Sequence, residues 1–127
     1  MKESAVALLS FALLLGATAL AVETFDDREL MVPPPDAVAE GFVRETITGR
    51  YARARQYLSE PESMSNEDVR ELEQFIESRV GEPTEVEAEL VSRDDKRALV
   101  TVRVSAAERS EALSYGLVFD QEWKIAR

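Results

Sequence analysis

The chain has 127 residues, which is enough for one domain but not for two. With 15 basic and 25 acidic side chains it carries a formal net charge of −10, and a domain this acidic repels nucleic-acid phosphates and anionic lipid. Cysteine and histidine are both absent, which excludes disulfides, a lipoprotein cysteine, a Ser-His-Asp triad, a cysteine nucleophile and zinc sites built from His and Cys.

The chain begins with an uncharged stretch, residues 5–22 (AVALLSFALLLGATALAV). As a helix this stretch would span ~27 Å, close to the thickness of the hydrocarbon core of a bilayer. Residues 19–21 (ALA) match the small-x-small pattern of a signal-peptidase site, with Val22 as the first mature residue. We therefore expect residues 1–22 to be a signal peptide or, if uncleaved, a membrane anchor. A buried core helix is the alternative interpretation.

This segment predicts an exported protein that is periplasmic or anchored in the inner membrane and facing outward. Residues 23–35 (ETFDDRELMVPPP) are acidic and end in three prolines, which favour an extended, stiff linker. Residues 36–127 then form the predicted domain. Membrane contact is expected only through residues 5–22.

Three helices are predicted at the start of the domain. Asp36 is the expected N-cap of the first helix, whose apolar positions have helical spacing and which Gly49 ends. The segment RYARARQYL (residues 50–58) predicts a second, short helix. The third helix is predicted from Asn66 to Val80, because Ser65 and Asp68 resemble a capping box and an apolar stripe follows. That stripe contains Val69, Leu72, Ile76 and Val80, widened by Phe75, and Gly81 is the expected C-cap.

The apolar period then changes from helical to alternating. From residue 84 to 91 glutamates alternate with Val86, Ala88 and Leu90, and after a polar turn Ala98, Val100, Val102 and Val104 share one face. If both apolar faces meet one core, Arg103 lies opposite Glu85 or Glu87, and the connecting loop has three or five residues.

A third strand is predicted after a polar loop at residues 106–110. Leu113, Tyr115, Leu117 and Phe119 alternate toward the core, and Trp123 and Ile125 continue this face beyond a turn. The fold class is therefore α+β, with three helices packed on an antiparallel sheet of about four strands. No acidic side chain falls on the inward face of these predicted strands.

The order of elements and the ending FDQEWKI resemble the nuclear transport factor 2-like superfamily, over residues 34–127. The first matching helix runs from Pro35 to Ile47 and the second is RYARARQYL. The pattern looks most like short bacterial envelope domains of that superfamily. The resemblance implies a cone of helices across a strongly curved sheet. It does not select a function, because the superfamily includes ketosteroid isomerases, dehydratases, binding proteins and secretion-system components.

Several side chains are candidates for a site. The candidate pocket-lining residues are Tyr51, Tyr57, Tyr115, Phe119 and Trp123; structural rings in the core are the alternative. Glu85, Glu87 and Glu89 could bind a cation or a basic partner, but alternation also makes them the wet face of a sheet. The cations of the first two helices, Arg44, Arg50, Arg53 and Arg55, could bind an anion or pair with Glu40, Glu45 and Glu60. Asp94-Asp95 lacks the ligand pattern of a calcium loop.

The sequence predicts no catalytic residue, no cofactor and no metal. The leading hypothesis is a non-catalytic envelope domain that binds an unknown protein partner or serves in an assembly, without nucleic acid. A module that binds a small apolar ligand in the pocket of the cone is the alternative. An isomerase- or dehydratase-like enzyme is the third hypothesis, and it needs a carboxylate inside an apolar pocket.

Overall fold

The computed structural model of the chain describes residues 32–126. Three helices come first: α1 (Pro35–Ile47), α2 (Tyr51–Arg55) and α3 (Asn66–Val80), with a 3-10 turn at Pro61–Ser63 before α3. Four strands follow: β1 (Glu85–Arg93), β2 (Arg97–Ala106), β3 (Arg109–Asp120) and β4 (Glu122–Ile125). They form one antiparallel sheet in the order β1-β2-β3-β4, and all three helices contact other elements of this unit. The predicted α+β class is confirmed.

Helix α1 has the bounds that the family resemblance implied, Pro35–Ile47, but proline rather than an Asp36 cap starts it. Pro34 is the N-cap with an extended backbone, and Pro35 opens the helix, where its fixed φ suits the first turn and its missing N–H leaves no donor unbonded. Asp36 is therefore not the N-cap; it lies in the first turn, where its charge is stabilised by the positive end of the helix dipole. Thr48 caps the other end, and Gly49 follows with a left-handed φ of 81°.

Helix α2 is shorter than the predicted segment RYARARQYL, because the chain leaves the helix and extends beside β4. Leu58 forms a parallel bridge with Ile125. The N–H of Ile125 donates to the carbonyl of Tyr57 at 2.8 Å, and the N–H of Ser59 donates to the carbonyl of Ile125 at 2.8 Å. The backbone of residues 57–59 is therefore hydrogen-bonded to the outer edge of β4.

Helix α3 begins with the predicted capping box. The Ser65 hydroxyl accepts from the Asp68 N–H at 3.1 Å, and the Asp68 carboxylate accepts from the Ser65 N–H at 2.9 Å. Phe75 does not widen the buried stripe: it is 39% exposed and lies under the Arg79 guanidinium, 5.2 Å from the ring centre. The buried members of the stripe are Val69, Ile76 and Val80.

Strands β1 and β2 pair in one of the two predicted registers, with Glu87 opposite Arg103. The three glutamates of β1 are exposed on the outer face, as alternation predicted. Most inward side chains of these two strands lie on the opposite face and are buried next to the helices, whereas Ala88 is half-buried and Leu90 is 40% exposed. The buried ones are Val86, Ala98, Val100, Val102, Val104 and Ala106.

A bulge interrupts this ladder near the hairpin turn. The register shifts by one residue between Leu90 and Ser92. Beyond the shift Arg93 pairs with Ala98, which leaves residues 94–97 between them, an even number. The strand bounds nevertheless leave three residues, 94–96, between β1 and β2, which is one of the two predicted loop lengths. The bulge also places Arg93 in the inward register of the sheet.

The turn between β2 and β3 is shorter than the predicted loop at residues 106–110. Ala106 pairs with Arg109, so only two residues form the turn, and the first of them, Ala107, has a φ of 51°. Strand β3 therefore begins earlier than predicted. Glu111 pairs with the buried Val104 and shares its register, which corrects the expectation that no acid lies in the inward register. The Glu111 side chain is half-buried.

The core lies between the helices and the inward face of the sheet. Every element from α1 to β4 except the 3-10 turn contributes a buried residue, and the largest fully buried side chains include Phe42, Leu58, Ile76 and Leu117. Thr46 is the buried polar side chain among the described residues, and its hydroxyl donates to the carbonyl of Phe42 at 2.8 Å. A bond to the preceding helical turn satisfies this hydroxyl inside the core.

Two predicted N-terminal segments lie outside the described residues: the signal peptide or anchor at 1–22, and residues 23–31 of the linker. The last linker residue, Pro35, is buried at the start of α1. Between residues 32 and 126 no helix is both long enough and apolar enough to cross a membrane.

Candidate functional site

Tyr115 is a candidate residue on the inward face of the sheet, opposite α1. It pairs with Val100 on the inward face of the sheet, and its ring meets the Phe42 ring edge-on, with 5.5 Å between centroids. Burial raises the pKa of the Tyr115 hydroxyl well above its ordinary value, because the charged form loses its hydration. No hydrogen bond joins this hydroxyl to another residue in the described part of the chain.

Phe119 and Trp123 face each other across the β3–β4 hairpin, with ring centroids 5.2 Å apart. Trp123 is buried, whereas Phe119 is 39% exposed at the end of the sheet. The Arg93 guanidinium lies 5.2 Å from the centre of the Trp123 ring, a cation–π contact that the bulge in β1 makes accessible. These two of the five predicted residues are brought together.

Tyr51 and Tyr57 lie elsewhere. The Tyr51 hydroxyl donates to the Glu73 carboxylate on α3, and this hydrogen bond is the main reason that the pKa of Tyr51 is raised. Tyr51 also lines an open depression of about 320 Å³ formed with residues 49–53 and Asn66. The Tyr57 ring instead lies against Gly41 of α1, where an added Cβ would come within 2.7 Å of it. The depression beside Tyr51 is not lined by Tyr115.

The cations of the first two helices mostly have partners. Arg44 pairs with Glu40 at 2.8 Å and Arg50 with Glu45 at 2.5 Å, as the second of the two interpretations predicted. Arg55 does not reach Glu60; it donates to the Pro61 carbonyl and to Asn66. Two of the four charges are therefore paired with carboxylates, whereas the partners of Arg55 are neutral and no described residue pairs with Arg53.

The hairpin turn after β1 is held by its own backbone. The Asp94 carboxylate accepts from the N–H of Lys96 at 2.8 Å and from that of Arg97 at 2.9 Å, and these bonds lower its pKa. A carboxylate used in this way stabilises a turn. Among residues 32–126, no group of three or more acidic, His or Cys side chains could hold a metal ion.

The sequence reasoning did not identify the outer edge of β1 as a feature of interest. Within residues 32–126, β1 is the first strand of the sheet and pairs on one side only. At the ends of β2, the carbonyl of Arg97 accepts from Asp94 and that of Ser105 accepts from Thr84, both at 2.9 Å. Since alternate residues of an antiparallel strand bond to the same neighbour, the odd-numbered residues of β2 face β1.

The same alternation shows which residues of β1 point away from the sheet. The glutamates of β1 lie opposite odd-numbered residues of β2 and bond to that strand, so the residues between them point outward. Arg44 supports this assignment, because its guanidinium donates to the carbonyl of Val86 at 3.1 Å. No described residue meets the outward N–H and C=O groups of Ala88 and Leu90. We call these groups the free edge.

The signal that could have found the free edge is the order of the strands. In a meander of consecutive hairpins the first strand has one neighbour, so its other side is open unless another segment covers it. An open edge at the first strand therefore already followed from the meander predicted from residue 84 to 127.

Comparison with known proteins shows what this fold is similar to. No protein-family model and no curated protein matches the chain. Among solved structures, the crystal structure of a protein named as an NTF2-like transpeptidase from Campylobacter jejuni matches with a TM-score of 0.60 and 17% sequence identity. The match covers 75% of this chain and 99% of that chain. At this identity the likeness concerns the fold alone, and on that basis the described part of the chain has the NTF2-like fold that its sequence resembles.

Proposed function

We propose that the domain is a non-catalytic domain of the bacterial cell envelope, which acts by binding a partner protein or as an element of an assembly. The observation that carries this proposal is the burial of large apolar side chains between the helices and the inward face of the sheet. Phe42, Ile76 and Leu117 lie in this core and are each at most 1% exposed. A pocket for a small molecule needs roughly 300–1,000 Å³ of empty, enclosed volume. Burial of these large apolar side chains favours action through the outer surface.

The positions of the acidic groups support the absence of catalysis. General acid–base chemistry by a carboxylate needs that carboxylate inside an apolar pocket. In the described residues the acid in the inward register is Glu111, which is half-buried near the start of β3. The outer-face carboxylates Glu85, Glu87 and Glu89 are exposed to water.

The neighbour's name includes a transpeptidase, and this activity is not part of our proposal. Acyl transfer needs a nucleophile with an adjacent base. The sequence has no Cys and no His, and none of its serines is followed by Lys three positions later. The likeness at 17% identity supports a common fold and leaves the chemistry open.

Tyr115 favours a second candidate function, a module that binds a small apolar ligand. Its hydroxyl is largely buried and has no hydrogen-bond partner within residues 32–126, and a ligand could supply one. Phe119 and Trp123 would then form an apolar wall near the end of the sheet.

Two measurements on the full chain separate these candidates. Native mass spectrometry of protein purified from its own host should give the mass of the polypeptide without a small molecule. Tyr115→Phe keeps the ring and removes only the hydroxyl, so a strain carrying this variant should behave as the wild type. A co-purified small molecule that Tyr115→Phe loses would overturn the proposal and establish the ligand-binding module.

The envelope location has its own test. Residues 1–35 fused to a reporter that is active only in the periplasm should give reporter activity. An inactive fusion that stays in the cytosol would contradict export. The N-terminus of the native protein then distinguishes the two forms, because Val22 indicates a cleaved signal peptide and Met1 an anchor.

A further inference from the structure

We propose that the free edge of β1 binds an extended segment of a partner protein in which lysine or arginine alternates with apolar residues. This inference rests on the proposed function, since it assigns a place and a chemical class to the partner. Its first support is the backbone itself. The outward N–H and C=O groups of Ala88 and Leu90 are in the geometry that an additional strand requires. A segment added there gains backbone hydrogen bonds whatever its sequence.

On the outer face of the sheet, the glutamates of β1 determine which side chains of the added segment are favoured. Glu87 lies opposite Arg103, but Glu85 and Glu89 lie opposite Ser105 and Thr101, which carry no charge. An added strand places its own side chains beside these glutamates from the open side, and opposite charges at that distance attract. Lysine or arginine at alternate positions is therefore favoured.

The same argument disfavours a second copy of this chain as the occupant. Pairing β1 with β1 would bring the glutamates of one copy beside the glutamates of the other, in a chain of net charge −10. Like charges on neighbouring strands are destabilising. The edge is thus matched to a partner of opposite charge.

The inward side of the edge selects apolar residues at the remaining positions. Leu90 is 40% exposed and Ala88 is half-buried, and both belong to the inward register. An apolar side chain of the added strand would cover Leu90 and extend the core. The bond from Arg44 to Val86 and the bulge after Leu90 limit the paired segment to roughly five residues.

The experiment measures peptide binding to the purified full chain at physiological ionic strength. The probe is a short peptide in which valine and lysine alternate, and the control peptide has glutamate in place of lysine. A second control is the basic peptide with the alternate amides that face β1 N-methylated, which keeps its charge and removes its hydrogen bonds. We expect the basic peptide to bind at least about tenfold more tightly than either control.

Two variants of the chain locate the binding. Ala88→Pro removes an outward N–H and leaves the ladder to β2 intact, so it should abolish binding in a protein that still folds. Glu89→Lys should weaken binding of the basic peptide, whereas Glu71→Lys, the same charge change on an exposed position of α3, should not. If Ala88→Pro fails to fold, the lysine pair and the N-methylated peptide still decide the question.

Three results would overturn the inference. Equal binding of the N-methylated peptide means charge attraction without strand pairing, and equal losses in Glu89→Lys and Glu71→Lys mean that the site lies elsewhere. A dimer of the wild type that Ala88→Pro dissociates means that the occupant is a second copy. None of these results bears on the small-molecule test of the proposed function, so the two can fail separately.

Discussion

The two edges of the sheet differ in how their outward backbone groups are used. At β4, residues 57–59 lie alongside the strand, and Ile125 exchanges two hydrogen bonds with them, each of 2.8 Å. Lys124 adds a third, from its Nζ to the carbonyl of Gln56 at 2.6 Å. At β1, by contrast, Arg44 meets one carbonyl, that of Val86, and no described residue meets the next two outward positions.

This difference shows that the fold closes one edge with its own chain and protects the other by chemistry. Exposed edges tend to pair with other strands, and charged side chains and bulges are the usual protection. Strand β1 has both, in its three exposed glutamates and in the register shift between Leu90 and Ser92. Such protection disfavours pairing with an acidic strand and still permits pairing with a strand that carries basic side chains.

The largest expected effect comes from disrupting the core that both edges share. Val102 lies in β2 and is fully buried. The substitution Val102→Asp would place an unpaired carboxylate among apolar side chains. We expect a loss of on the order of 4 kcal/mol or more in the free energy of unfolding. Leu99→Asp, on the outer face of the same strand where Leu99 is 40% exposed, should cost less than about 1 kcal/mol. Equal losses, measured by chemical denaturation, would mean that the assigned faces are reversed.

The second prediction places proline at the two edges in turn. Ser59→Pro removes the N–H that donates to Ile125 and should cost on the order of 2 kcal/mol of unfolding free energy. Ala88→Pro removes an outward N–H that has no described partner, so it should cost less than about 1 kcal/mol. Thermal and denaturant unfolding of both variants provide the measurement. A larger loss for Ala88→Pro would show that β1 is closed by another part of the protein.

Much of this architecture could be predicted from the sequence, because its signals are local. The capping box at Ser65 and Asp68 lies within one helical turn, and strand alternation repeats every second residue. To predict the register that sets Glu87 opposite Arg103, it was enough to know which faces are apolar and that the hairpin is short. Each of these inferences compares residues that are close in the chain.

The features that were missed depend on contacts between distant residues or on turns without typical residues. The bridge from Leu58 to Ile125 joins two ends of the domain, and the helical pattern around Leu58 does not indicate it. Ala107 and Gln121 adopt positive φ angles without the Gly or Asn that usually marks a tight turn. The prediction of the candidate site failed at Tyr51 for the same reason. Its hydroxyl bonds to Glu73 on another helix, and the spacing of residues in the sequence does not predict this partner.

The third prediction sharpens the description of the closed edge. Gly41 allows the Tyr57 ring to lie against α1, next to the segment that covers β4, and a Cβ at Gly41 would come within 2.7 Å of that ring. In the wild type, Gly41→Ala should therefore gain none of the roughly 1 kcal/mol that alanine normally adds in a helix. In a Tyr57→Ala background the gain should appear, which gives a coupling energy of about 1 kcal/mol or more.

Gly116→Ala is the matched control for this cycle. A Cβ at Gly116 would meet nothing within 4 Å, so its effect on the unfolding free energy should be the same in both backgrounds. If Gly41→Ala also behaves identically in both backgrounds, the contact between Gly41 and Tyr57 does not help to hold the closed edge.

The smallest effect at neutral pH is expected between the two edges, at Tyr115. Tyr115→Phe removes a hydroxyl that has no described hydrogen bond, so at neutral pH the unfolding free energy should change by less than about 1 kcal/mol. At alkaline pH the two proteins should differ. Burial raises the pKa of Tyr115 in the folded state above its unfolded value of about 10, so the folded state favours the protonated ring.

The sign follows from proton binding in the two states. Below about pH 10 both states hold the proton and stability is unaffected; above it the unfolded chain releases the proton first, so the free energy of unfolding falls as pH rises. One such group contributes a slope of up to about 1.4 kcal/mol per pH unit. Tyr115→Phe should remove this contribution, and Tyr51→Phe should remove a separate one that arises from the bond to Glu73. Denaturant unfolding measured from neutral pH to above pH 10 decides the matter. If the wild type and Tyr115→Phe give parallel profiles, the hydroxyl is hydrated in the folded state, and the inward face is open to water and to a ligand.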